Sequence, residues 1–310
     1  MVKNKYPIIW ICIYAFLLVL SSVSGASLEL VYSIAFLMVL SQSLNIALGF
    51  SGLVNLGIIA FSGVGAYTFA VLVYQNLNPY LSMIVGGVTS VIIALLIGVV
   101  VLRLKGPFFA IGTLTLMFAA KYFIIGTGIA GGSYGLTLYK YIGSLYDPYM
   151  LAYVLLTLSI IVTVLTYKLA NSPLGYSLKA LREDHDAAQT MGVDAFKSKL
   201  TAFAISSIFP GIAGGVLAFK IFWVRPVTVF DPSYTIEAVL TVLMGGAGSV
   251  TGPIIGALIY EILKEVLMRL VPGLQLPIFA ILVIIVASFA PQGIVGLLRT
   301  RFKKLQNFII

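Results

Sequence analysis

The sequence predicts an all-α, polytopic membrane protein with about ten transmembrane segments and with its N- and C-termini cytoplasmic. Three observations carry this. Hydrophobic residues make up 60% of the 310 and charged ones 9%, at a mean hydropathy of +1.09, whereas soluble domains carry about 25% charged residues. The apolar residues gather into runs of about 20, the length that crosses a bilayer core. The basic residues then fall mostly on one side of those runs, as cytoplasmic loops require.

Ten runs can be drawn, at roughly 6–24, 28–48, 53–74, 79–102, 107–125, 148–169, 200–222, 233–246, 252–271 and 275–298. With the N-terminus inside, Lys3, Lys5, Arg103, Lys105, Lys168, Lys179, Arg182, Lys197, Lys199, Arg299, Arg301, Lys303 and Lys304 face the cytoplasm. These are thirteen of the nineteen basic residues, and an odd number of spans would divide their strongest clusters. The net charge of +9 follows from this asymmetry and does not call for nucleic acid. Cys12 is the only cysteine and His185 the only histidine, which excludes a disulfide framework and argues against metal chemistry. The first run, between Lys5 and a group of small residues, is similar in part to a signal peptide. Its length, at the upper limit of such a region, favours a retained helix.

In the second and third runs, Gly49, Gly52, Gly57, Gly63 and Gly65 are too many for a plain lipid-facing helix. Either small residues let helices approach closely, or the helices break and line a cavity. In the second case Ser41, Gln42, Ser43, Asn45, Ser51, Asn55, Ser62 and Thr68 would lie along a polar path. Both readings stand on the sequence alone. The fourth run ends in a sharp turn at Arg103–Pro107, and the fifth carries Thr113, with Lys121 placed to snorkel to the interface. A glycine-rich loop at 126–147 is long enough to suggest a function. The seventh run is expected to kink at Pro210, near Gly211, Gly214 and Gly215. Glu237 opens a short eighth run that ends in a glycine-rich stretch, Met244–Pro253, with no lysine to make it a phosphate-binding loop. In the ninth, the spacing pairs Glu261 with Lys264 and Glu265 with Arg269. Intramembrane charges are functional candidates by default, but this spacing favours a structural or interfacial reading.

Between the sixth and seventh runs lies a charged island, Lys168–Lys199. It holds Glu183, Asp184, Asp186 and Asp194, four of the ten acids, together with His185, and must lie in water. Pro173 after Ser172 marks a helix start. Leu174, Leu178 and Leu181 follow at helical spacing and form one apolar stripe. Asp184 or Asp186 can cap a second short helix through Ala187, Ala188 and Met191, ended by Gly192. The stripe calls for something to cover it.

Asp186-Ala187-Ala188 followed by Gly192 resembles the Glu-Ala-Ala-x3-Gly motif in the cytoplasmic loop of ABC importer permeases, with aspartate replacing glutamate. Phe209-Pro210 falls about five residues later than the wider consensus expects, which points away from maltose-type permeases. Further motifs are Gly49-x-Ser51-Gly52 with Gly57, Phe61, Gly63 and Gly65-Ala66-Tyr67; Arg103-Leu104-Lys105-Gly106 with Phe109 and Thr113; Gly131–Leu136; Leu181–Asp184; Gly245–Ser249 with Gly252-Pro253; and Pro291-Gln292-Gly293. In this order they resemble the M-type permease subunit of branched-chain amino acid ABC importers over nearly the whole chain. Leu53 and Ile58 depart from it, standing where that family usually has polar residues.

The resemblance implies a single permease domain over 1–310, with a coupling loop at 170–198, set in the lipid of a prokaryotic plasma membrane. It implies a second permease subunit, two ABC ATPase subunits that use the ATP, and an external solute-binding protein. No cofactor and no catalytic residue is expected in this chain. Leu174, Leu178, Leu181, Ala187, Ala188 and Gly192 would meet the ATPase, with Arg182, Glu183, Asp184 and Asp186 at a polar rim. Ser41, Asn45, Ser51, Asn55, Ser62, Thr113 and Glu237 are the candidates for the translocation path. A permease of the same architecture for urea or short amides is the nearest alternative. An ion-coupled secondary transporter using Glu237, Glu261 or Glu265 is a more distant one. Gly49–Gly57 and Gly245–Gly252 do not occupy equivalent places of an inverted repeat, which counts against it.

Overall fold

The computed structural model describes residues 6–21, 25–104, 106–271, 273–274, 277–279, 281 and 293–296. In order these form α1 (Tyr6–Ser21), α2 (Gly25–Ser51), α3 (Ile58–Tyr74), α4 (Pro79–Val101), α5 (Pro107–Thr127), α6 (Tyr139–Ile142), α7 (Pro148–Ala170), α8 (Pro173–Glu183), α9 (His185–Thr190), α10 (Ala195–Ile221), α11 (Pro226–Val229), α12 (Pro232–Gly245) and α13 (Gly252–Leu270). The 126–147 loop is more ordered than expected. It contains two 3-10 turns, α6 and a two-residue strand β1 (Leu136–Thr137) paired antiparallel with β2 (Trp223–Val224).

Nine of the ten expected runs coincide with helices. The tenth, 275–298, lies largely outside the described residues, as do Lys3, Lys5, Lys105 and the basic residues from 299 onward. Among the described residues, six stretches are long and apolar enough to cross a membrane: Ser27–Ser51, Pro79–Val101, Pro107–Thr127, Pro148–Ala170, Ala195–Ile221 and Pro226–Gly245. Trp10–Ser21 and Ile58–Tyr74 are apolar but shorter. Two boundaries differ from expectation. The third helix starts at Ile58, because the chain is unwound from Gly52 to Gly57, and the seventh starts at Ala195, inside the island. α10 also continues as helix through Pro210.

The helix starts follow from local chemistry. α4, α7 and α12 each begin with proline behind an Asn or Asp cap. Asn78 accepts from the Tyr80 N–H at 2.9 Å, Asp147 from Tyr149 at 2.9 Å and Asp231 from Ser233 at 2.9 Å. Proline loses nothing at the first helical position, where its missing N–H would have no partner anyway.

α2 and α10 form the centre of the bundle, whereas α4 and α5 turn large apolar side chains such as Leu96 and Phe108 outward. In a bilayer, lipid covers such faces. Small residues set the packing of α3, α4 and α10. A Cβ on Gly65 would stand 1.9 Å from the Gly211 carbonyl oxygen, and one on Gly214 1.9 Å from that of Ser62. Backbone therefore lies on backbone there, as the close-approach reading requires. The broken-helix reading holds next to it. Gly52 adopts φ +71° where α2 ends, the Asn55 side chain accepts from the Gly57 N–H at 3.0 Å, and the Leu56 N–H donates to Thr113 Oγ1 at 3.1 Å. Different glycines satisfy the two readings.

Candidate coupling and translocation elements

The island folds as the sequence chemistry suggests. Ser172 caps α8, accepting from the Gly175 N–H at 3.2 Å. Asp184 caps α9, accepting from Asp186 and Ala187 at 3.0 and 2.9 Å. Gly192 closes α9 at φ +89°, a left-handed conformation that costs glycine little. Asp194 caps α10 through the Lys197 N–H at 3.0 Å and pairs with the Lys197 ammonium at 3.2 Å. Those contacts hold its carboxyl below the usual carboxylate range.

The leucine stripe faces inward. Leu178 is 0% and Leu181 4% exposed, and Leu174 is half-buried. Leu178 joins the main core, while Leu181 packs with Ala188 and Ala195. The cover that the stripe calls for thus comes from this chain. The exposed surface consists of Arg182, Glu183, Asp184, Asp186, Ala187 and Gly192, together with side chains to which the sequence reading gave no coupling role. Met191 is 86% exposed, and Tyr176 and Phe196 are exposed too. Their signal was an apolar residue off the stripe. Beside them, a groove of about 500 Å³ runs between the island and the α4–α5 turn, with Arg103, Leu104, His185, Asp186 and Phe196 on its walls.

Beneath the island, motifs distant in sequence meet. Arg182 donates to the Gly49 carbonyl oxygen, and its guanidinium stands 2.8 Å from where a Cβ on Gly248 would be. A Cβ on Gly49 would lie 2.5 Å from the Gly248 nitrogen, and one on Gly293 2.5 Å from that of Gly246. Asn45 clamps the same loop: its Nδ2 donates to the Ser249 carbonyl at 2.8 Å and its Oδ1 accepts from the Gly248 N–H at 2.9 Å. Gln42 Nε2 donates to the Val250 carbonyl at 2.7 Å. The end of α2 and the α12–α13 loop thus meet backbone to backbone, with no room for a side chain at Gly49 or Gly248, and the Arg182 side chain ties α8 to both.

The proposed path residues divide. Ser41 and Ser51 donate to their own helix, to the Met38 carbonyl at 3.3 Å and the Ala47 carbonyl at 2.7 Å. Asn45 holds the α12–α13 loop, and Asn55 and Thr113 hold the unwound segment after α2. Ser62 is buried with no hydrogen-bond partner among the described residues. Glu237 is placed differently. Lys264 donates to its Oε1 at 2.7 Å and lies 3.6 Å from Glu261, while Arg269 meets Glu265 at 2.5 Å. Both pairs expected from spacing form. The stronger contact of Lys264, however, is to Glu237, 27 positions away, which spacing within one helix could not disclose. Lys220 of α10 pairs with Glu29 of α2, 191 positions apart, and equally left no sequence signal.

The family pattern for "Branched-chain amino acid transport system / permease component" matches residues 26–303. The chain belongs to that family. It is similar to the high-affinity branched-chain amino acid transport system permease protein LivM of Salmonella typhimurium, at 30% identity over 94% of this chain and 73% of that protein. LivM of Escherichia coli is 30% identical over 97% of this chain and 77% of its own length. A probable LivM of Methanocaldococcus jannaschii is 23% identical over 83% and 89%. No solved structure matches the chain. Family membership together with the apolar helices makes this a multi-pass membrane permease component. The glycine junction under the island is accordingly a feature of a transport protein.

Proposed function

We propose that this chain is the membrane-spanning permease subunit of an ATP-driven importer for branched-chain amino acids. The observation that carries the reading is the family match across residues 26–303. The chain spans the membrane ten times with both termini cytoplasmic, pairs with a second permease subunit, and receives solute from an external binding protein. It has no catalytic residue of its own, and two ATPase subunits supply the energy. Their contact is the water-facing side of the island from α8 to the start of α10, with Met191 and Phe196 as apolar anchors and Arg182, Glu183, Asp184 and Asp186 around them. Leu178, Leu181 and Ala188 serve from behind, fixing the island to the bundle so that a push is transmitted. Arg182 and the Gly49–Gly248 contact support that role, because the guanidinium ties the island to the end of α2, and α2 there meets the α12–α13 loop backbone to backbone.

The importer, isolated from its native membrane through a tag on this chain and reconstituted in vesicles with its binding protein, tests the proposal. Labelled leucine should accumulate only with ATP, and labelled urea should not accumulate. Leucine uptake without ATP would overturn the mechanism, and preferential urea uptake would overturn the solute.

A further inference from the structure

At the end of the bundle opposite the island, three ion-pair contacts among five charged groups, contributed by four helices, surround one cavity. Glu29 lies near the start of α2, Lys220 near the end of α10, Glu237 early in α12, and Glu261 with Lys264 on α13. The cavity holds about 220 Å³. A second cavity of about 350 Å³ adjoins it and shares Glu29, Ser33, Glu261 and Lys264. Four of these five groups, Glu29 excepted, are largely withdrawn from solvent, a poor choice for stability alone. Buried ion pairs often do no better than apolar residues of the same volume, and intramembrane charges tend to mark solute or ion routes.

The balance of charge is informative. Three carboxylates face two ammonium groups. Lys220 is taken by Glu29, and Lys264 is divided between Glu237 at 2.7 Å and Glu261 at 3.6 Å. One carboxylate therefore lacks a cation of its own. The Tyr32 hydroxyl on the same wall is buried with no hydrogen-bond partner among the described residues. Its ring lies 3.8 Å from the Lys220 ammonium. A surplus carboxylate, two ammonium groups and an orphaned hydroxyl are complementary to a group carrying one positive and one negative charge close together. Phe36, Leu37, Leu217 and Ile221 make the rest of the wall apolar.

We propose that this cavity is a binding site for a free α-amino acid with an aliphatic side chain. Glu261 and Glu237 receive its ammonium, Lys264 and the Tyr32 hydroxyl receive its carboxylate, and the apolar wall holds its side chain. This deepens the function proposed above and rests on it. Lys264 changes partner as the solute arrives, from Glu237 to the solute carboxylate. The binding step needs no covalent chemistry. It exchanges one set of charge-assisted hydrogen bonds for another, which keeps the desolvated charges compensated throughout.

The test is the number of leucine molecules moved per ATP hydrolysed by the reconstituted importer. Glu237→Gln and Glu261→Gln keep the side-chain shape and remove the charge. Each should lower that ratio at least about tenfold, as expected when a site's polar groups lose their complement, while binding-protein-stimulated ATP hydrolysis continues. An unchanged ratio in both variants overturns the proposal. So does parallel loss of ATP hydrolysis and complex assembly in both, which assigns the cluster to structure. If the wild-type importer moves a different free amino acid and not leucine, the solute part of the earlier reading fails. The same two variants then test this site with that amino acid.

Discussion

The two ends of this molecule use charge in opposite ways. In the island, Asp184 and Asp194 sit in water and complete helix ends. At the far end, Glu237, Glu261 and Lys264 are largely withdrawn from solvent, with one ammonium shared between two carboxylates. An exposed charge is screened and has a modest effect on stability, so the island's acids can be explained by local folding. A charge removed from water needs a stronger reason. Abundance of charge in the sequence therefore draws attention to the island, whereas the cost of charge points to the other end. Apolar residues reverse as well. The island's regular leucine stripe is internal, and its irregular Met191 faces outward.

This contrast can be broken by substitution. Lys264→Met should have the largest effect, because it leaves Glu237 and Glu261 facing each other without a cation. Breaking a buried ion pair costs about 3–5 kcal/mol, and a thermal melt of the purified chain in detergent should show a drop of that order. An unchanged melt would mean that the cluster is as well solvated as the island. Arg182→Ala comes next. It removes a charge-assisted bond to the Gly49 carbonyl, a class worth about 1.5–3 kcal/mol, with the lower end expected because Arg182 is exposed. Uptake should fall more than stability does, since the bond joins the island to α2. Equal falls would make it a local brace. Asp184→Ala should be the mildest at about 1 kcal/mol, the usual value of an N-cap. Its effect should be confined to amide exchange in α9, and exchange spreading into α10 would show that the island does not fold locally.

Much of the fold could be read in advance because its signals are local. Runs of apolar residues set the helices, and Asn78-Pro79, Asp147-Pro148, Ser172-Pro173 and Asp231-Pro232 set their starts. The break at Gly52–Gly57 was one of two open readings, since a glycine that admits close packing and a glycine that ends a helix look alike in sequence. The structure separates them by neighbour: Gly65 meets another backbone, and Gly52 turns the chain at positive φ. The site was less legible. Caps depend on residues three apart, so the island's two helices could be drawn from the chain alone. Which face of α8 is covered depends on α2, α7 and α10, so the direction of the leucines could not. The Lys264–Glu237 and Lys220–Glu29 pairs join residues that only the folded bundle brings together.

The central claim is that the water-facing side of the island receives the drive from the ATPase. A photoreactive benzophenone side chain placed at position 191, in the importer assembled in its native membrane, tests this most directly. Illumination should join this chain to an ATPase subunit, and the same probe at the outward-facing position 123, near the far end of α5, should not. Absence of an ATPase adduct from position 191 in an importer that still hydrolyses ATP and takes up leucine would contradict the account.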